Sequence, residues 1–291
     1  MAKCMLCPRR CGVDRRNGEV GFCGAGDKIK IGRYSLHMWE EPCISGTNGS
    51  GTVFFSHCNM KCVYCQNRKI STGGAGREIT VGRLCEIFLE LQSRGAHNIN
   101  LVTPTHFADK IRKALICAKK AGLTLPIVYN CGGYESVGTL RMLDGLIDIY
   151  MPDFKYYRAE YARKYSAAPD YPEIAAAAID EMARQVLPAV YENGLMRRGL
   201  IVRHLLLPGL LYDAKKIVDL LYGNFGDEVC LSLMSQYTPT PGVRNIPAIN
   251  RTVGAREYDA LCDYCAKIGI TNAYTQDGAA ASESFIPDFY D

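Results

Sequence analysis

The sequence predicts an α/β protein with a largely parallel sheet, preceded by a segment rich in cysteine and glycine. From residue 51 onward, short apolar runs alternate with longer stretches of helical periodicity. Strands that alternate with helices in this way form right-handed βαβ units and a parallel sheet. Residues 1–50 instead show little periodicity and hold four cysteines between positions 4 and 23. We therefore expect a Cys-rich, metal-binding module at residues 1–50 and an α/β domain at residues 51–291.

Six strands and six helices are expected in alternation. The predicted strands span Thr52–Ser56, Asn98–Val102, Pro126–Asn130, Leu146–Met151, Gly199–Leu206 and Glu228–Met234. The predicted helices span Thr80–Arg94, Phe107–Ala121, Ser136–Leu143, Pro172–Asn193, Tyr212–Tyr222 and Ala255–Ile268. Thr80 suits a helix N-cap, Gly95 suits the residue after a helix, and Pro188 is expected to end or kink the alanine-rich fourth helix. A doubly wound sheet and a partial barrel both satisfy this order of elements.

Composition narrows the class of protein. The chain of 291 residues is 48% hydrophobic, which is ample for a core, yet it has no continuous apolar run of about 18 residues that would predict a transmembrane helix. The start, Met1-Ala2-Lys3-Cys4, lacks the apolar core of a signal peptide, so we expect a cytoplasmic protein. Its 14 cysteines then indicate metal ligands or catalytic groups rather than disulfides. The net charge of +4 forms no basic stripe, which argues against a nucleic-acid partner.

Three cysteines directly follow the first predicted strand. Cys58, Cys62 and Cys65 have the spacing C-x3-C-x2-C on one short loop. Three thiolates that converge in this way suit a metal centre. A [4Fe–4S] cube normally takes four cysteines, one per iron, so three would leave one iron open to bind a small molecule. The alternatives are a structural zinc loop with His57 as the fourth ligand, or buried, unreactive cysteines.

This stretch, CNMKCVYCQN, with Tyr64 before the last cysteine, resembles the radical S-adenosylmethionine superfamily in the branch of the pyruvate formate-lyase activating enzymes. The resemblance covers residues 51–285 and implies a partial (β/α)6 barrel of the TIM type. The N-terminal pattern C-x2-C-P-R-x-C-G-x-x-R, with Asn100–Phe107 and the closing Ser284–Phe289, also resembles a subgroup of proteins related to these activating enzymes, the PflX-like subgroup.

The resemblance implies a mechanism. Cys58, Cys62 and Cys65 would hold a [4Fe–4S] cluster, and S-adenosylmethionine would chelate its open iron. In this family the reduced cluster cleaves S-adenosylmethionine to a 5′-deoxyadenosyl radical, which abstracts hydrogen from the substrate. The implied reductant is flavodoxin or ferredoxin, and the implied substrate is a glycyl residue of a partner enzyme. A peptide or a small metabolite is the alternative substrate, and an iron–sulfur electron carrier or redox sensor without turnover is the alternative class.

Further cofactor contacts are expected at the cluster loop and after the second predicted strand. The resemblance places Tyr64 against the adenine, largely through its backbone. Thr103 and Thr105 stand where the family usually has a Gly-Gly-Glu stretch that receives the methionine ammonium. The chain departs from that pattern, so backbone carbonyls and the two hydroxyls are the expected replacements. Alternatively, Thr105 caps the following helix.

The next strand ends supply the remaining candidates, because parallel α/β proteins place active residues at the carboxyl ends of strands. Asn130 lies in a turn that resembles one of the family and is expected to contact the ribose or the substrate. Asp153 is expected to accept hydrogen bonds from ribose hydroxyls or a substrate amide, and Lys155 to approach a carboxylate, unless the two form only a surface ion pair. Alternation directs one of Arg203 and His204 inward, and we assign that position to Arg203, which suits the methionine carboxylate.

A second set of thiols lies in the Cys-rich module. Its members are Cys4, Cys7, Cys11 and Cys23. Four thiolates close a coordination shell, which fits either structural zinc or a second iron–sulfur cluster. Unligated cysteines are the alternative. Trp39, with Glu40 and Glu41, is expected to join this module to the barrel.

Overall fold

A ten-stranded sheet forms the centre of the protein, seen in a computed structural model that describes residues 3–276 and 289–290. Residues 284–288 of the resemblance noted above lie outside this range. The strands are β1 (Ile29–His37), β2 (Ser50–Phe55), β3 (Arg77–Ile79), β4 (Ile99–Val102), β5 (Ile127–Cys131), β6 (Ile149–Pro152), β7 (Val190–Glu192), β8 (Leu195–Leu205), β9 (Cys230–Met234) and β10 (Ala273–Tyr274). Their order is β10-β9-β8-β6-β5-β4-β2-β1-β3, with β7 paired to β8 outside this path.

The strands from β2 to β10 along this path are parallel, whereas β1 runs antiparallel to both β2 and β3. The helices are α1 (Pro42–Ser45), α2 (Arg68–Ser71), α3 (Val81–Ser93), α4 (Ala108–Lys120), α5 (Val137–Met142), α6 (Ala159–Ser166), α7 (Tyr171–Val186), α8 (Leu211–Phe225) and α9 (Ala255–Lys267). Helix α3 begins where the sequence predicts, because the Thr80 hydroxyl accepts a hydrogen bond from the Arg83 amide.

The parallel strands curve into a partial barrel. Side chains from strands far apart in the sheet line one cavity, among them Phe54 of β2, Asn130 of β5 and Tyr274 of β10. A flat sheet could not direct these residues to a common space. The curvature confirms the predicted partial barrel, and we call the enclosed space the barrel cavity.

Helix α1 closes the barrel at the amino ends of the strands. The β1–β2 pairing sets His37 opposite Ser50, the first residue of β2, so the segment between them lies at this end. From that segment, Cys43 and Ile44 pack against Val128 of β5 and Ile201 of β8. The loop with the three cysteines follows the opposite end of β2, so the barrel cavity lies between the two.

All six predicted strands and all six predicted helices are present. The fourth predicted helix is shorter than expected: α7 ends at Val186, and β7 occupies part of the remainder. Strand β1, within the Cys-rich module, was not predicted and pairs directly with β2. The division into two units at residue 50 stays a prediction.

Across the described part of the chain, no helix combines the length and the apolar character needed to cross a bilayer.

Candidate functional site

Each of the three cysteines on the loop after β2 has a polar neighbour. The Met60 amide lies 3.4 Å from Cys58 Sγ, and the Ser166 hydroxyl donates to Cys62 Sγ at 2.9 Å. The Ser71 hydroxyl lies 3.3 Å from Cys65 Sγ. Hydrogen bonds to the sulfur ligands help set the potential of iron–sulfur clusters, so these contacts suit cluster ligands.

The three sulfurs also influence one another. Burial raises the pKa of Cys58, and the neighbouring Cys62 and Cys65 raise it further. Burial likewise raises the pKa of Cys62, while Lys155 opposes the rise. Three thiolates would therefore repel one another strongly here, and they need a positively charged centre to share the loop.

A cluster and a single ion make different demands on the three cysteines. Within residues 3–276 and 289–290, no three or more His, Cys, Asp or Glu side chains meet at distances suited to one metal ion. Zinc gathers its thiolates at about 2.3 Å around one point, whereas a [4Fe–4S] cube spreads them over separate irons. The His57 ring lies edge-on to that of His106, with 6.4 Å between the ring centroids.

The barrel cavity opens beside these cysteines and has a volume of about 380 Å³, within the range of small-molecule sites. Cys62 and Cys65 line its end near the carboxyl ends of the strands. Five of the seven residues predicted to bind the cofactor also line it, namely Tyr64, Asn130, Asp153, Lys155 and Arg203. The cavity therefore brings most of the predicted site together.

Arg203 is the centre of the polar network in the cavity. It donates from Nε to Asp153 Oδ1 at 3.0 Å, and from Nη2 to Asn130 Oδ1 at 2.6 Å. Lys155 Nζ lies 2.5 Å from Asp153 Oδ2. Burial alone would raise the pKa of Asp153, but Lys155 and Arg203 outweigh it and hold that pKa below its usual value. Asp153 is therefore an ionised acceptor at neutral pH.

Glu40 belongs to the same network, and sequence reasoning missed it. Its carboxylate accepts from Arg203 Nη1 at 3.3 Å, from Asn100 Nδ2 at 2.9 Å and from Asn130 Nδ2 at 3.4 Å. Burial raises the pKa of Glu40 although Arg203 opposes it, and the adjacent Glu41 adds to the rise. The paired carboxylates after Trp39 were the only sequence signal, and nothing in their spacing directs them into a barrel.

Thr103 and Thr105 do not line the barrel cavity. Thr105 Oγ1 instead donates to Glu135 Oε1 at 2.6 Å, and the Tyr129 hydroxyl donates to Glu135 Oε2 at 3.0 Å. Burial raises the pKa of Glu135 to about 7. Thr105 thus serves a buried network that the sequence did not reveal, and a cofactor role for the two threonines stays a prediction.

The cysteine-bearing part of the N-terminal module packs against the cluster loop. Arg9 Nε donates to the Asn59 carbonyl at 3.0 Å, one residue after Cys58. The Thr139 hydroxyl of α5 donates to the Leu6 carbonyl at 2.7 Å. The module is thus in direct contact with the predicted cluster site.

The four N-terminal cysteines are partly or wholly buried. Burial raises the pKa of Cys7 to about 12 and also raises the pKa of Cys4. Gly21 lies so close to Cys11 that a Cβ at this position would come within 2.5 Å of its sulfur. Cys23 Sγ lies 3.4 Å from Arg15 Nη2. Close contact and a nearby cation suit a thiolate site, but a metal here stays a prediction.

A family model described as the radical SAM superfamily matches residues 52–221, more than half of the chain. The "Uncharacterized protein MJ0674" of Methanocaldococcus jannaschii is 29% identical over 287 residues, which cover 93% of this chain and 76% of that protein.

Solved structures agree at the level of the fold. Streptococcus suis SuiB, bound to its precursor peptide SuiA, has a TM-score of 0.51 at 14% identity, over 76% of this chain and 46% of SuiB. The present chain thus spans about half the length of SuiB. A radical SAM methyltransferase from Sphaerobacter thermophilus has a TM-score of 0.52 at 15% identity, over 78% of this chain and 66% of that one. With its matched family model and its partial barrel, this chain belongs to the radical S-adenosylmethionine superfamily.

Proposed function

We propose that this protein is a radical S-adenosylmethionine enzyme whose cluster is held by Cys58, Cys62 and Cys65. When bound, the cluster and S-adenosylmethionine supply a 5′-deoxyadenosyl radical that abstracts hydrogen from the substrate. The observation that carries the proposal is the cavity itself, because Cys62 and Cys65 line the same space as Asp153 and Arg203. An electron carrier needs no such cavity.

The polar residues of the cavity would position the cofactor. Asp153, held ionised by Lys155 and Arg203, can accept hydrogen bonds from ribose hydroxyls. Lys155 and Arg203 supply positive charge for the methionine carboxylate. Tyr64 is buried at the cavity wall, where its backbone can flank the adenine. The enclosing strands would exclude water from the reacting atoms.

We further propose that the substrate is a peptide chain, either a glycyl residue of a partner enzyme or a separate peptide. The resemblance to the activating enzymes supports the first, and the structure of SuiB bound to its precursor peptide supports the second. We also propose that the protein belongs to the PflX-like subgroup and that flavodoxin or ferredoxin supplies the electron that reduces its cluster.

Formation of 5′-deoxyadenosine tests the central claim. Protein reconstituted anaerobically with iron and sulfide is mixed with dithionite and S-adenosylmethionine, and the product is measured. We expect product from the wild type and none above background from Cys58→Ala, Cys62→Ala or Cys65→Ala. Cys262→Ala, in α9, is the matched control and should keep wild-type activity. Wild-type rates in any of the three variants, or iron binding without product in the wild type, would refute the assignment.

Metal analysis of the same samples tests the N-terminal site. About four irons with zinc would indicate structural zinc, and about eight irons a second cluster. Cys4→Ala and Cys7→Ala should lose only the second metal and keep the cluster iron. If neither variant changes the metal content, the four cysteines hold no metal.

A further inference from the structure

The floor of the barrel cavity carries a carboxylate with one oxygen that makes no hydrogen bond to any side chain of residues 3–276 or 289–290. Glu41 lines the cavity at the start of α1, and only 9% of it is exposed. Its buried Oε2 has no hydrogen-bond partner in the described chain, and its side chain does not cap α1. A buried carboxylate without a partner is costly, so such a group on a cavity wall points to a ligand that completes it.

The charged side chains around the cavity carry a net negative charge. Among the lining residues that the structure describes, three carboxylates face two cations. Lys155 pairs with Asp153, and Arg203 bridges Asp153 and Glu40. The titratable His37 also lines the cavity, but burial and the nearby Arg33 lower its pKa, so it is neutral at neutral pH. Asp153, Glu41 and Glu40 together raise the pKa of Arg203 in spite of its burial, so this one guanidinium is shared among three carboxylates. With Lys155 as the other cation, the described lining is short of one positive charge.

This position separates Glu41 from the cluster. Glu41 precedes α1 at the amino end of β2, whereas the cysteine loop follows the carboxyl end of β2. The six residues of β2 span roughly 17 Å at the usual rise per residue. Glu40, beside Glu41, contacts Arg203 at 3.3 Å, so the floor begins where the residues assigned to the cofactor end. The partner of Glu41 is then the substrate rather than the cofactor.

We propose that Glu41, with Glu40 beside it, forms an acidic subsite that binds an ammonium or guanidinium group of the substrate. Trp39 and His37 also line this part of the cavity. This inference rests on the proposed function and specifies its substrate class: a molecule or peptide side chain with a positive charge, inserted past the reacting end of the cavity.

Calorimetric binding of simple cations to the reconstituted protein tests the subsite. The probes are agmatine and 1,5-diaminopentane, which imitate arginine and lysine side chains. Their neutral counterparts are N-butylurea and 1-pentanol. We expect one saturable site for each cation and none for the neutral compounds. Glu41→Gln should weaken cation binding at least about tenfold, because it removes the charge while keeping the shape. Glu160→Gln, in an exposed pair with Arg158, should leave binding unchanged.

Equal binding of neutral and charged probes, or full affinity in Glu41→Gln, would overturn the subsite. If Glu41→Gln does not fold, Glu40→Gln serves in its place and should also weaken binding; unchanged affinity in that variant counts against the subsite. The wild-type 5′-deoxyadenosine assay separates the two proposals. Product without cation binding keeps the enzyme function and rejects the subsite. Cation binding through Glu41 without product keeps the subsite and rejects the enzyme function.

Discussion

A chain of three hydroxyl groups connects the cavity wall to a cluster sulfur. The Tyr64 and Tyr156 hydroxyls lie 2.6 Å apart, and those of Tyr156 and Ser166 lie 2.7 Å apart. Ser166 donates to Cys62 Sγ at 2.9 Å. Each hydroxyl has one proton, so a Ser166 that donates to sulfur must accept from Tyr156, which in turn accepts from Tyr64. The chain therefore directs hydrogen bonding toward Cys62.

Removing Ser166 should change the cluster potential rather than the fold. A hydrogen bond to a ligand sulfur stabilises the reduced, more negative cluster, so we expect Ser166→Ala to shift the potential more negative by roughly tens of millivolts. A redox titration followed by electron paramagnetic resonance measures the shift. Ser93→Ala, exposed at the end of α3, is the matched control. An unchanged potential in Ser166→Ala would mean that the contact does not tune the cluster.

A second contact on the cluster loop comes from the segment after β9. Gly242 lies against the loop so closely that a Cβ there would come within 2.2 Å of the Val63 carbonyl oxygen. The Thr240 hydroxyl donates to the same carbonyl at 3.2 Å. Val63 is adjacent to Cys62 and two residues from Cys65. The segment after β9 therefore holds the loop at the point where two predicted ligands must keep their spacing.

Gly242→Ala should weaken cluster binding. The new methyl group meets backbone oxygen, which cannot rotate away, so the loop or the segment must shift. We expect retention of the cluster against a chelator to fall about tenfold or more, as for other supporting residues of metal sites. Iron and sulfide per chain, followed during the challenge, measure this. Gly223→Ala, where nothing lies within 4 Å of the added carbon, is the control. Equal iron retention in the two variants would contradict the role given to this contact.

The elements that the sequence predicted are those with a strong internal pattern. Strands such as β4 and β9 are short, mostly apolar runs, and α3 and α4 each have one apolar face. The missed elements depend on partners distant in sequence. Strand β10 has two residues paired with β9, and α6 is a short helix whose last residue, Ser166, bonds to Cys62 across 104 positions. Local periodicity carries no information about such contacts.

The residues of the candidate site likewise divide into those that the sequence predicted and those that it missed. Residues adjacent in sequence or at strand ends were predicted, such as Asp153 and Arg203, because a parallel sheet brings those ends together. Glu40 and Glu41 were assigned only to a connection. Their place in the cavity depends on the β1–β2 pairing, which turns the intervening segment under the barrel. This pairing joins distant parts of the fold, and spacing in the sequence does not show it.

Two buried neutral histidines make the stability of the whole molecule depend on pH. His204 Nδ1 lies 2.7 Å from the Phe154 carbonyl, and burial lowers the pKa of His204 to about 4. His106 Nε2 lies 2.7 Å from the Ser56 carbonyl, and burial lowers the pKa of His106 to about 3. Carbonyl oxygens only accept, so each ring nitrogen at these contacts carries a proton, while the other nitrogen of each ring has no partner in the described chain. Adding a proton there would bury an unpaired charge.

The two histidines should therefore oppose folding as the pH falls, whereas Glu135, whose pKa burial raises to about 7, acts in the opposite direction. Unfolded histidine binds a proton near pH 6.5, whereas the folded His204 does so only near pH 4, so unfolding takes up a proton between these values. The contribution of each histidine to stability falls as the pH drops through this window, by about 1.4 kcal/mol per pH unit. His204→Asn keeps a donor for the Phe154 carbonyl but cannot titrate. Urea unfolding of the reconstituted wild type and variant is compared from pH 7.5 to 5. The slope of the free energy of unfolding against pH should be shallower in the variant by the equivalent of about one proton. An identical slope in both proteins would show that His204 is already protonated in the fold or never exposed on unfolding.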